Sequence, residues 1–212
     1  MRKLLISLLM NGILVSGVYA QGLEPIKLQE PQLDRGASLM KALQNRQTIR
    51  SFSDEELSFD LLSNLLWSAC GVNRPDMQKF TAPSAKNWQE IDIYVALKQG
   101  LYLYNKKEHR LDPVMPGDIR EHTGIQEFTQ IAPVNLIYVA NYDRMDGDAS
   151  EKDFYSAIDT GYISQNVYLF CASEGLATVA LGWVDKPELA EIMKLGDNQK
   201  IILTQPVGYI KK

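Results

Sequence analysis

One segment constrains this chain more than any other: residues from about Lys152 to Ser173 read as a long helix, closed by Gly175, which suits a left-handed C-terminal cap. At ~1.5 Å per residue such a helix runs for roughly 33 Å, the breadth of a small domain, so the other elements must be laid along it. Val134 to Ala140 is nearly all apolar and predicts a central strand. Ile91 to Ala96 alternates in strand fashion, Gly100 breaks the run, and Leu101 to Tyr104 alternates again, which predicts an antiparallel hairpin. A helix with Leu39, Met40 and Leu43 on one face should end near Asn45, and Phe59, Leu62, Leu65, Leu66 and Ala69 recur at helical spacing up to Gly71. Between those helices Ser53-x-x-Glu56 fits a capping box, and a strand-like link fits equally well. The C-terminal part predicts a strand over Ala177 to Gly182, a helix opened by Asp185-x-x-Glu188, and a strand over Lys200 to Gly208. Strands and helices interleave without a regular strand–helix–strand repeat, so the expected fold class is α+β and not doubly wound α/β.

The amino terminus places Arg2 and Lys3 before the apolar run Leu4 to Met10 and closes with Val18-Tyr19-Ala20. This is the pattern of an export signal over residues 1–20, cleaved after Ala20 to leave 192 residues. Asn11 and Gly12 interrupt a run already short of the ~20 apolar residues a span needs, so a stable membrane span is not expected. The mature chain is therefore expected outside the cytoplasm, in a periplasm or at the cell exterior. Residues 21–36 are rich in Gln, Pro and Leu and predict a surface arm, and residues 37–212 a single domain. The full chain carries 22 basic and 26 acidic residues, net −4, and without Arg2 and Lys3 the balance is −6. Such a surface repels phosphate backbones and argues against a nucleic-acid binder. Cys70 and Cys171 lie in apolar helical stretches, either as unpaired thiols or as one bridge, and His109 and His122 lack metal-ligand spacing, so no metal site is expected.

The densest polar constellation is Arg46-Gln47-Thr48-Ile49-Arg50. Alternate residues of an extended segment share a face, so Arg46, Thr48 and Arg50 can offer two guanidiniums and a hydroxyl to one anion such as a phosphate monoester; a solvated basic turn is the other reading. A second segment, Thr81 to Gln89, packs hydroxyl, amide and ammonium donors into a loop stiffened by Pro83 just before a strand.

Arg46-Gln47-Thr48-Ile49-Arg50-Ser51-Phe52 resembles the Arg-x-Ser-x-Arg-x-Phe opening of the FMN-dependent nitroreductase family, and Pro83-Ser84-x-x-Asn87-x-Gln89 is similar to its second flavin segment. Asp159-x-Gly161 through Gln165-Asn166, then Glu174-Gly175-Leu176 and Gly182, resemble its central helix and the strand beside the flavin, and Gln205 to Tyr209 its closing strand. Gly71 to Arg74 and Gly100 to Tyr104 also resemble the branch that holds azoline-oxidising dehydrogenases, whereas Asn87-Trp88-Gln89 stays closer to ordinary nitroreductases.

The resemblance implies a mainly antiparallel mixed sheet flanked by helices, with the long helix at a homodimer interface. It implies FMN held at its phosphate and ribityl chain by Arg46, Thr48 and Arg50, with Gln47 reaching its pyrimidine. It places Pro83, Ser84 and Asn87 against the same flavin from the partner subunit, and the backbone around Leu181 and Gly182 near flavin N5. Gln126 is a further candidate contact, or else a helix-surface amide. The cofactor carries the chemistry, so no catalytic side chain is implied and the poverty of His is no objection. Reduction by NAD(P)H or another donor would precede entry of a nitroaromatic, quinone or similar planar acceptor, giving ping-pong kinetics. A dehydrogenase of the azoline-oxidising type, or a flavin-binding protein without turnover, are the alternatives.

Overall fold

A computed structural model describes residues 22–212, and the expected export signal over residues 1–20 lies outside the described residues. Along the chain run β1 (Ile26–Lys27), α1 (Leu39–Asn45), α2 (Phe59–Cys70), β2 (Val72–Arg74), β3 (Lys79–Phe80), β4 (Ile91–Leu97), β5 (Gly100–Asn105) and β6 (Arg110–Pro116). Then follow α3 (Phe128–Ile131), β7 (Val134–Asn141), α4 (Ala149–Glu174), β8 (Leu176–Thr178), α5 (Lys186–Ile192) and β9 (Gln199–Tyr209). Seven strands form one sheet in the order β1-β6-β5-β4-β7-β9-β8, and β2 and β3 make a separate small hairpin. Every pairing among the described residues is antiparallel.

The apolar runs of β4 and β7 follow from this order. Both strands are central and are covered on both faces, so neither can alternate apolar with polar. Ile91, Ile93, Val95 and Leu97 face one way, into a core shared with Leu62, Leu65 and Leu66 of α2 and Ile163, Val167 and Cys171 of α4. Tyr94 and Ala96 face the other way, against Leu189 of α5 and Met193. The two cysteines are buried free thiols in the first core.

Helix α4 is the frame. Asp148 caps its start by accepting from Glu151 N, and Gly175 ends it at φ 70°, where its N–H donates to Cys171 O. It packs along both α1 and α2. Among the described residues no helix is long and apolar enough to cross a membrane.

Four expectations need adjustment. Ser53 does not open a helix: its Oγ accepts from Glu55 N, Phe52 bridges to Ile210, and α2 begins later with Ser58 as its cap. The strand-like link is the alternative that the structure adopts, because burying Phe52 demands extended backbone there. The strand expected over Ala177 to Gly182 ends at Thr178 and resumes only as a bridge between Leu181 and Thr204. The N-terminal arm is more than a surface strap, since β1 pairs with β6 and Leu23 and Leu28 are buried. The helix over Leu39 to Asn45 forms, yet Leu39, Met40 and Leu43 are exposed and Ala42 is the residue it buries.

Candidate functional site

The segment after α1 is extended. Ile49 N donates to Thr178 O, Ser53 N to Tyr209 O, and Lys211 N returns to Ser51 O, so the stretch lies along the ends of β8 and β9. Its residues alternate as an extended chain must. Asn45, Gln47 and Ile49 line a shallow groove with Cys171, Gly175 and Leu176, whereas Arg46 and Thr48 turn to Tyr168 of α4. Gln47 therefore points away from the two residues beside it.

Tyr168 organises this corner. Its ring lies 5.4 Å from the Arg46 guanidinium, its hydroxyl is 3.2 Å from Thr48 Oγ1, and the same oxygen accepts from Ala180 N at 2.9 Å. That last bond takes Ala180 out of the sheet ladder, which is why β8 breaks after Thr178. The register is not lost: Thr178 pairs with Val207 and Leu181 with Thr204, three residues on in each strand.

The arginines divide sharply by partner. Arg35, Arg110, Arg120 and Arg144 each donate to a carboxylate, and Arg74 to Phe80 O. The guanidiniums of Arg46 and Arg50 donate to no oxygen among the described residues, although acids outnumber bases in the chain. Two unneutralised guanidiniums on one extended segment, beside a hydroxyl, form a ready site for an anion.

The strand turn supplies backbone groups. Leu181 N–H already donates to Thr204 O at 2.8 Å, so it is not available to a ligand. Gly182 N–H has no acceptor among the described residues, and a side chain there would meet only Leu203, at 3.8 Å. Gly182 is thus the free donor of the pair. Gln126 lies in the loop before α3, not on a helix surface, and its Oε1 is buried with no hydrogen-bond partner. Gly124 ties it to the strand turn, because a Cβ on Gly124 would sit 3.0 Å from Leu181 Cδ1 and 3.4 Å from that oxygen. Phe52, Ala177, Val179 and Leu181 share one small core with Ile49 and Phe128, so the arginine segment and the strand turn are parts of one corner.

Pro83, Ser84 and Asn87 are elsewhere. Their loop docks on the first half of α4: Ala85 N donates to Asp159 Oδ2 at 2.8 Å, Lys86 pairs with Glu151 at 3.1 Å, and Trp88 meets the edge of Tyr155. Ser84 Oγ accepts from Gln89 N at 3.0 Å. Lys86, Asn87 and Gln89 all have positive φ (48°, 60° and 54°), each such conformation costing roughly 1–3 kcal/mol. Strain of that kind persists only where surrounding contacts over-determine the backbone, and it concentrates at binding sites. Asp159 and Tyr168 are nine residues apart on α4, about 13 Å along its axis, so one chain brings Arg46, Thr48, Gln126 and Gly182 to one corner and sets Pro83, Ser84 and Asn87 apart from them.

Sequence reasoning missed Tyr168 and Glu90. A tyrosine nine residues beyond Asp159 on a helix carries no motif, and its role is fixed by segments far away in sequence. Glu90 sits in front of an apolar strand and reads as its polar lead-in, yet it is fully buried, and both its carboxyl oxygens lack a completed hydrogen bond.

A large antiparallel sheet in an α+β chain, framed by one long helix, defines the class of protein. Residues 43–209 match the model of the nitroreductase family. The candidate nitroreductase MJ1384 of Methanocaldococcus jannaschii is 30% identical over 197 residues, covering 87% of this chain and 97% of that protein. The crystal structure of a candidate nitroreductase from Ralstonia eutropha JMP134 is similar with a TM-score of 0.86 and 38% identity, over 95% of this chain and 97% of the other. An NADPH:FMN oxidoreductase from Vibrio harveyi, solved with NAD+, shares the fold at a TM-score of 0.62 and 17% identity, over 83% and 70%. The chain belongs to the nitroreductase family and is an oxidoreductase of that family.

Proposed function

We propose that this chain is an exported, homodimeric, FMN-dependent oxidoreductase that passes two electrons, in ping-pong fashion, from NAD(P)H or another donor to nitroaromatic, quinone or similar planar acceptors. The observation that carries the reading is the pair Arg46 and Arg50, unneutralised on one extended segment with Thr48 between them. The residues present fit such a cofactor: a phosphate dianion needs bidentate cationic donors, and an orphaned buried acceptor on Gln126 and a free N–H on Gly182 lie around the same corner. The Vibrio harveyi protein's use of FMN and a nicotinamide supports the choice of cofactor and donor. When bound, FMN would supply a carrier that takes up two electrons and hands them on.

The chain's own groups bind, orient and polarise. Arg46 and Arg50 hold the phosphate, and stacking on Tyr168 restrains the Arg46 side chain. Tyr168, accepting from Ala180 N, can donate to Thr48 and so leave the Thr48 proton for the ligand. Gly182 N–H would serve the N5 edge, whereas Gln47 faces the groove beside Cys171 and Gly175 and would reach the pyrimidine only by turning across the segment. Fixed donors of this kind stabilise negative charge on the reduced cofactor without reorganising. Pro83, Ser84 and Asn87 serve the partner's cofactor, which suits their place at the other end of α4. The exposed apolar side chains Phe154 and Tyr162 of α4 and Leu39 and Met40 of α1 support a second copy as the cover for that face. Arg2, Lys3 and the run ending at Ala20 support export.

The mature protein should be yellow as purified, release FMN on denaturation, and be bleached anaerobically by NADH or NADPH. A preparation that is colourless and stays so after soaking in FMN overturns the cofactor assignment. Bleaching by neither nicotinamide, with FMN bound, overturns the donor alone.

A further inference from the structure

Beneath the Ser84–Gln89 loop lie two carboxyl groups with little else to do. Glu90, at the entrance to β4, is 0% exposed, and Asp159 of α4 is 2% exposed. Asp159 Oδ2 accepts from Ala85 N at 2.8 Å, the bond that ties the loop to the helix. The Glu90 carboxyl leans on Asp159 without completing a hydrogen bond in the geometry seen, so a proton on Glu90 has Asp159 as its natural acceptor.

We propose that Glu90 and Asp159 form a proton-sharing latch that fixes the Ser84–Gln89 loop, closed while the pair holds one proton and loosened when that proton is lost to solvent. In the closed form Asp159 is the only charge of the pair and accepts from both Ala85 N–H and the Glu90 O–H. Loss of the proton leaves two buried carboxylates in contact, and their repulsion is relieved by moving Asp159, with Ala85, away.

The surroundings put that transition near neutrality. Burial first, and the adjacent Asp159 charge next, push Glu90 up to about 7, and burial raises Asp159 as well. The other groups facing Glu90 come from each element around it. Lys106 opposes the shift, but its ammonium is bonded to Ile91 O at 2.8 Å and lies over the Phe80 ring, so it does not pair with Glu90. Cys70 of α2 is itself pushed up by burial, so it adds no charge, and Tyr142, pushed up to about 12, adds none either. Asp92, two residues further along β4, is held by both Arg144 nitrogens and turns to them. The three positive φ angles of the loop are what the latch restrains. Because the loop is read as a flavin segment, an inference that rests on the proposed function, the latch makes FMN affinity fall as pH rises.

The test compares the full mature chain with Glu90→Gln, whose amide mimics the protonated acid, between pH 6 and 8.5. Hydrogen exchange over residues 83–90, expressed as protection relative to the free peptide, should fall several-fold across this range in the wild type and stay constant in Glu90→Gln. An infrared carboxylic-acid band should disappear with a midpoint near 7 in the wild type only. FMN binding, followed by quenching of flavin fluorescence, should weaken by up to about 30-fold by pH 8.5 in the wild type and remain flat in Glu90→Gln. Equal protection profiles in the two proteins, or no acid band at pH 6, overturn the latch. Absence of FMN binding at any pH in both proteins sinks the cofactor reading, while the exchange and infrared measurements still decide the latch. If Glu90→Gln does not fold, Asp159→Asn decides: removing the neighbouring charge should move the band's midpoint to lower pH, and an unchanged midpoint overturns the proposal.

Discussion

The guanidiniums of Arg46 and Arg50 stand four residues apart on one extended segment, and neither has a carboxylate partner among the described residues. Replacing both with Ala should weaken FMN binding by roughly 2–5 kcal/mol, because charge-assisted bonds to a phosphate are lost without replacement. Neither side chain is buried or ion-paired, so the melting temperature of the cofactor-free protein should stay where it is, as for other surface substitutions worth about 0.5 kcal/mol or less. Calorimetric titration with FMN and a thermal melt separate the two effects, and an unchanged affinity would remove these residues from the site. The arginines were legible because alternation in an extended segment is a local property. Tyr168 was not, since its contacts with Thr48 and Ala180 join segments whose meeting only the fold decides. Leu181 shows the converse: a neighbour in sequence of the free donor Gly182, it gives its own N–H to Thr204.

Elements were legible where one local signal dominated. The end of α4 at Gly175 is such a case: φ is 70°, and a Cβ there would meet nothing within 4 Å. Gly175→Ala should therefore cost only the left-handed backbone penalty, about 1 kcal/mol, read as a shift in the midpoint of urea unfolding. A loss of several kcal/mol would mean that the turn into β8 carries contacts beyond its backbone. Asp185 illustrates the same locality, since its side chain does accept from Glu188 N at the start of α5. Ser53 carries as good a pattern and fails, because Phe52 is buried at 2% exposure through its bridge to Ile210, and the tertiary contact outweighs a cap worth about 1 kcal/mol. β6 escaped notice because Pro113 and Pro116 interrupt its alternation, and it is a strand only by virtue of β5 on one side and β1 on the other.

At the scale of the whole molecule, burial of Glu90 couples folding to pH. Below its ordinary value of 4.5 both folded and unfolded chains hold the proton; between 4.5 and about 7 only the folded chain does, so stability falls as pH rises and levels off above 7. Glu90→Gln should be spared that loss, so the difference between the two proteins in unfolding free energy should open across that window. Asp118, held below the ordinary carboxylate range by its hydrogen bond from Arg120, acts with the opposite sign and at lower pH, where its contribution is lost on acidification. The two effects occupy different windows and can be read from one series of denaturant titrations; parallel pH profiles for the two proteins would contradict the buried acid.

The exposed apolar surface raises a different question, because Leu39 (63% exposed), Met40 (74%), Phe154 (62%) and Tyr162 (48%) lie on α1 and α4, two helices that pack together. Surface apolar residues scattered singly need no partner, but several on one helix pair call for cover. Under the proposed function a second copy is the cover that would also serve the site, since the Ser84 loop docks on the first half of α4 and the arginine segment on its second half. Light scattering should therefore give a dimer at micromolar concentration, and Met40→Glu with Tyr162→Glu should yield monomers by placing charge in a dehydrated contact. Those monomers should also lose FMN affinity, although neither substitution touches Arg46 or Arg50, because half of each site would have left with the partner. A monomeric wild type, or a monomeric variant that binds FMN as tightly as the dimer, would show that one chain completes the site alone.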